Sequence, residues 1–139
     1  MKIFVLLIAS LSLPLDAWAD EEREILACMA GASADIDGSR SYTSDASSIR
    51  FLLTLQRKDR TIIAVHLKHT GVMEGYPDYW YNCSVNQAGN LYTCVNGAEA
   101  IWYFPARKHG VMASISIKDL MEENRANSAG MYNYSCAEF

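Results

Sequence analysis

The chain has 139 residues, half of them hydrophobic and a fifth charged, with 16 acidic against 12 basic side chains and a net charge of −4. That apolar content supports a folded core and excludes an intrinsically disordered chain. The acidic balance argues against general nucleic-acid binding, which needs a basic surface.

Lys2 precedes an apolar stretch from Ile3 to Leu15, interrupted only by Ser10, Ser12 and Pro14, and Ala17-Trp18-Ala19 then sets small residues where a signal peptidase reads. This is the tripartite layout of a secretory signal over residues 1–19, cleaved near Ala19. The stretch is shorter than the roughly 20 residues of a spanning helix, and nothing later is apolar for as long, so no membrane span is expected. No cysteine stands at the cleavage point to carry a lipid. Residues 20–139 are then a single secreted β-rich domain. The short leader has a bacterial form, which makes the protein periplasmic or secreted.

Asp20-Glu21-Glu22-Arg23-Glu24 places acid at the head of a possible helix, where it suits the dipole, and Ile25, Cys28, Met29 and Ala32 share one helical face. A short N-terminal helix is expected, with a strand as the alternative because Gly31 interrupts it. Residues 33–48, rich in Ser, Asp, Gly and Ala, read as a long loop.

From Ile49 the pattern is β. Phe51, Leu53 and Leu55 alternate with Leu52, Thr54 and Gln56; Arg57-Lys58-Asp59-Arg60 turns the chain; Thr61 to Lys68 follows as a strand. A loop from His69 to Asp78 precedes a strand from Tyr79 to Val85, and Asn86 to Asn90 turns it back into Leu91 to Val95. Asn96-Gly97 is the strongest hairpin signal in the chain. Ala98 to Phe104 returns, with Trp102 and Phe104 expected in the core and Tyr103 outside. Val111, Ala113, Ile115 and Ile117 then alternate with Met112, Ser114 and Ser116. A short helix is expected over Lys118 to Ala126, before a last strand from Met131 to Ala137.

The fold class is therefore mainly β: an antiparallel meander of about seven strands forming a small barrel or sandwich, with a short N-terminal helix and disulfide staples. Four cysteines in an exported chain form two disulfides, with three possible pairings. With Ala88-Gly89 at the turn, Cys83 falls opposite Cys94, which leaves Cys28 with Cys136 to join the N-terminal segment to the last strand.

No catalytic motif emerges. His66 and His69, three apart on a strand, face opposite ways and do not share a metal; the cysteines are committed to bridges, and there is no Gly-x-Ser-x-Gly elbow. No catalytic residue, metal or cofactor is assigned, and the chain is not read as an enzyme. Alternate connections of a meander lie at the same end. Arg57 to Arg60, Asn86 to Asn90 and Pro105 to His109 thus make a basic end. His69 to Trp80, Asn96-Gly97 and Lys118 to Gly130 make an acidic, aromatic one. The loop at the second end supplies the candidate binding residues Met73, Glu74, Tyr76, Asp78 and Tyr79, a mixture of Met, Tyr and acid that suits a protein interface.

The expected function is a small binding protein of the inhibitor or immunity type, whose protein partner is an envelope-degrading hydrolase or a toxin. The Ser-Gly-x-x-Tyr-like loop and Trp-x-Lys-Gly-like segment of small-barrel lysozyme inhibitors are absent, so this expectation rests on architecture. The alternatives are an envelope ligand-binding or structural module and, behind these, a small hydrolase.

Overall fold

A computed structural model describes residues 22–37, 40–97, 99–115 and 128–139. The secretory signal over 1–19 and the helix expected over Lys118 to Ala126 lie outside the described residues. The strands are β1 (Glu22–Asp37), β2 (Arg40–Asp45), β3 (Ile49–Lys58), β4 (Thr61–Gly71), β5 (Tyr79–Val85), β6 (Tyr92–Asn96), β7 (Glu99–Phe104), β8 (His109–Ile115) and β9 (Ser128–Glu138). All pairings are antiparallel and follow the order β2-β1-β3-β4-β5-β6-β7-β8-β9, and β9 pairs back onto β1. Eight strands, β1 and β3 to β9, thus close a barrel, and β2 adds a ninth outside it.

Small eight-stranded barrels are filled by side chains, because the interior is only wide enough for alternate residues of each strand. Here Leu26 and Cys28 of β1, Phe51, Leu53 and Leu55 of β3, Ile62, Val65 and Leu67 of β4, Tyr81 of β5, Cys94 of β6, Ile101 and Tyr103 of β7 and Tyr134 of β9 form one buried cluster. A register shift beside Gln56 and Arg57 leaves Ile63 as the extra residue between Ile62 and Val65, so both of those side chains reach the interior.

The N-terminal helix is replaced by β1. Helical spacing of Ile25, Cys28, Met29 and Ala32 competes with a period-two pattern, and the latter prevails: Leu26, Cys28 and Ala30 are buried while Ile25 and Met29 are exposed. Residues 33–48 are likewise not a loop, since they contain the end of β1 and all of β2. β1 bends where its register with β9 shifts between Ala30 and Ser33. Before the bend it pairs with β3, after it with β2. The Asn133 side chain accepts a hydrogen bond from the Ala32 backbone at 2.9 Å, and the Gly31 carbonyl accepts one from Ala46 at 2.7 Å, so the bulge leaves these groups satisfied.

Two further expectations change. In β7 it is Ile101 and Tyr103 that point inward, while Trp102 is half-buried on the outer wall and Phe104 is exposed there. In β8 the inward positions are Gly110, Met112 and Ser114, so the apolar set Val111 and Ala113 faces out. Gly110 is required by its neighbour: a Cβ there would collide with the Trp102 carbonyl and the Tyr134 ring, which lies directly across from it in β9. The tyrosine fills the space the glycine leaves.

Both disulfides form as expected from the hairpin register. Cys83 pairs with Cys94 and Cys28 with Cys136, each directly opposite its partner in the ladder, with Cα atoms 4.0 and 4.1 Å apart. The second lies across β1 and β9, the seam that closes the barrel. Two disulfides fit a protein folded in an oxidising compartment, periplasmic or extracellular. Among the described residues, no helix is long and apolar enough to cross a membrane.

Candidate functional site at the barrel mouth

One end of the barrel carries the Asp59-Arg60, 86–91 and 105–108 connections; the other carries the 71–78 loop, the Gly97 turn, the end of β1 and the start of β9. At this second end the inward positions change from aliphatic to aromatic and polar. His69 continues the Val65, Leu67 face of β4, Tyr79 precedes Tyr81 on β5, Glu99 precedes Ile101 on β7, and Ser114 and Tyr132 complete the rim from β8 and β9. With Ile49, Met73, Tyr76 and Met112 they enclose a cavity of about 260 Å³.

The polar groups of the cavity are built into the wall. Tyr81 donates its hydroxyl to the Glu99 carboxylate at 2.5 Å, reaching across β6 from β5 to β7. Tyr132 donates to the Met112 sulfur at 2.8 Å. Burial, followed by the Glu99 carboxylate, pushes the Tyr81 hydroxyl far above the ordinary phenol range, and Tyr132 is raised by the same two causes in the same order. Both phenols are therefore fixed donors. His69 is lowered, chiefly because burial disfavours its charged form, against smaller opposing effects of Glu99 and Asp78. Its ring packs against Phe51 and Tyr76, with centroids 6.4 and 5.9 Å away, and its Nδ1 is buried without a hydrogen-bond partner.

The loop over the cavity is a pair of successive turns, in which Glu74 donates its N–H to the Gly71 carbonyl and Tyr76 to that of Met73. Gly71 and Gly75 have φ of 64° and 98°, values an L side chain rarely adopts, so both glycines are needed for this path. The loop drops Met73 and Tyr76 onto the rim. Of the five residues expected to bind, Met73, Tyr76 and Tyr79 therefore meet at the cavity. Glu74 stands exposed on the loop, and Asp78 sits on the outer wall, 3.3 Å from His66 Nε2. His66 stacks on Trp80 there, with ring centroids 4.7 Å apart. His66 and His69 thus occupy opposite sides of the barrel wall, and no group of three or more potential metal ligands gathers among the described residues.

Sequence reasoning missed His69, Tyr81, Glu99 and Tyr132 as members of one site. The available signal was register: Tyr79 and Tyr81 share a face, and Glu99 is the residue that the Asn96-Gly97 turn returns beside them. At the opposite end, Asn90, Phe104, Ala106, Arg107 and His109 line a depression of about 310 Å³. The chain matches no protein family, no curated protein and no solved structure.

Proposed function

We propose that the chain is an exported binding protein of the inhibitor or immunity type, and that it engages a protein partner through the barrel mouth. The observation that carries this reading is the placement of Tyr76 and Met73. Tyr76 is 57% exposed on a loop whose path needs two glycines, yet it borders a preformed cavity with Met73 beside it. Aromatic and Met side chains around a concavity are the composition of an interface centre. An inserted partner group would be desolvated there, while the exposed Glu74 and the Asp78–His66 pair form a polar rim.

Capture of a partner from envelope extract by the chain from Asp20 onward tests this, followed by affinity measurement with variants. Tyr76→Ala is expected to cost about 2 kcal/mol or more of binding free energy, as for a central aromatic anchor. Arg107→Ala, at the opposite end, should leave binding unchanged. The opposite pattern would move the site to the basic end and favour an anionic envelope ligand.

A further inference from the structure

We propose that the mouth cavity is a cation pocket, which receives the ammonium or guanidinium tip of a lysine or arginine side chain from the protein partner. The inference rests on the mouth being the binding end and specifies what enters it.

Among the described residues, Glu99 is the acid that lines the cavity. Its hydrogen-bond partner among the described residues is a neutral phenol, and it takes part in none of the three ion pairs found among them. A carboxylate offers about four acceptor positions, so the described residues leave most of its capacity unused. Around it stand the rings of Tyr76, Tyr79, Tyr81 and Tyr132, whose faces carry the negative part of the aromatic quadrupole and attract cations. Met73 and Met112 add polarizable sulfur.

His69 completes the wall without opposing a positive guest. Burial disfavours the charged imidazole, and a neutral ring carries one acceptor nitrogen. Its unpartnered Nδ1 is a polar atom that the wall leaves unsatisfied. Among the described residues no Lys or Arg lines the cavity, so an anion would meet Glu99 with none of them to balance it. Size narrows the guest further. At about 260 Å³ the space lies below the roughly 300–1,000 Å³ typical of whole small-molecule sites, and suits a side-chain tip.

The test is methyl NMR on the oxidised chain from Asp20 onward, observing Met73 and Met112. The probes are N-acetyl-arginine amide, N-acetyl-lysine amide and tetramethylammonium, with N-acetyl-norleucine amide and tert-butanol as neutral analogues of similar shape. Saturable shifts are expected with the arginine and lysine amides, and the neutral analogues should bind at least about tenfold more weakly. Glu99→Gln keeps an acceptor for Tyr81, and its unliganded methyl spectrum reports whether the fold is intact. This variant should lose about tenfold in affinity for the cations. Equal binding of the norleucine amide, unchanged affinity in Glu99→Gln, or no saturable shift with any cation would overturn the proposal. Saturation by tetramethylammonium alone would overturn the assignment to a partner side chain and leave a free small cation. Partner capture that depends on Tyr76 but is indifferent to Glu99→Gln would overturn the cation pocket while the mouth remained the binding end.

Discussion

Removing the two disulfides one at a time should cost unequal amounts of stability, and the inequality follows from chain length. Cys28 and Cys136 are separated by 108 residues, Cys83 and Cys94 by 11. In the chain-entropy treatment, the longer loop restricts the unfolded chain by about 4.8 kcal/mol and the shorter by about 2.8 kcal/mol, a difference of about 2 kcal/mol. The hairpin loop is nested inside the larger one, and keeping it closed shortens the outer loop so little that the figure changes by only on the order of 0.1 kcal/mol. Packing losses nearly cancel, since each bridge has one buried and one partly buried cysteine. The comparison is Cys28→Ala/Cys136→Ala against Cys83→Ala/Cys94→Ala, followed by urea unfolding and thermal melts. The first pair should be less stable by about 2 kcal/mol, a gap in Tm of several degrees to roughly 15 °C for a domain of this size. If the hairpin pair proves equally or more destabilising, unfolded-chain entropy does not set the contribution of these bridges.

Gly110→Ala should destabilise by about 2–3 kcal/mol in denaturant titration, because the new methyl group meets the Trp102 backbone and the Tyr134 ring; a neutral result would mean that β9 yields easily there. Stability should also fall in alkali. Burial pushes the Tyr103 hydroxyl up to about 12, and Tyr81, Tyr132 and Tyr134 still higher, against about 10 in the unfolded chain. Folding is thus fully supported below pH of about 10 and loses support as pH rises through the folded values, since only the unfolded chain then releases these protons. Tyrosinate absorbance should rise together with loss of the β-sheet circular dichroism signal, and ionisation of all the tyrosines near pH 10 in a folded chain would contradict this.

The order of β3 to β9 and the disulfide pairing were legible because they depend on local signals: alternating Phe51, Leu53 and Leu55, polar turns, and cysteines on either side of one hairpin. Which face of a strand is inner was harder to read where the barrel interior is not aliphatic. Gly110, Met112 and Ser114 look like the weaker face of β8, yet Tyr134 covers the first and the mouth cavity meets the other two. Trp102 and Phe104 look like core, but the interior has room for the line Ile101 and Tyr103, and the larger pair lies on the wall outside. The N-terminal strand was ambiguous because Ala30 and Cys28 are small inward residues, with little contrast against exposed Ile25 and Met29. The site itself assembles from six strands and a loop, and only the loop shows in the sequence as a candidate.

The seam bridge has a consequence for how the chain survives cleavage. From Cys28 to Cys136 the backbone and the disulfide together make a covalent ring. A protease that cuts once in the exposed 71–78 loop, at Gly75 for instance, opens the ring without releasing a fragment. β1 to β4 stay attached to β5 to β9 through Cys28 and Cys136, and every ladder remains in place. The nicked molecule is in effect a circular permutant, with new ends at the mouth and the old ones fastened together. In reducing conditions the same cut would leave the two parts joined only through the β4–β5 and β1–β9 ladders, and their separation would expose two strand edges on each.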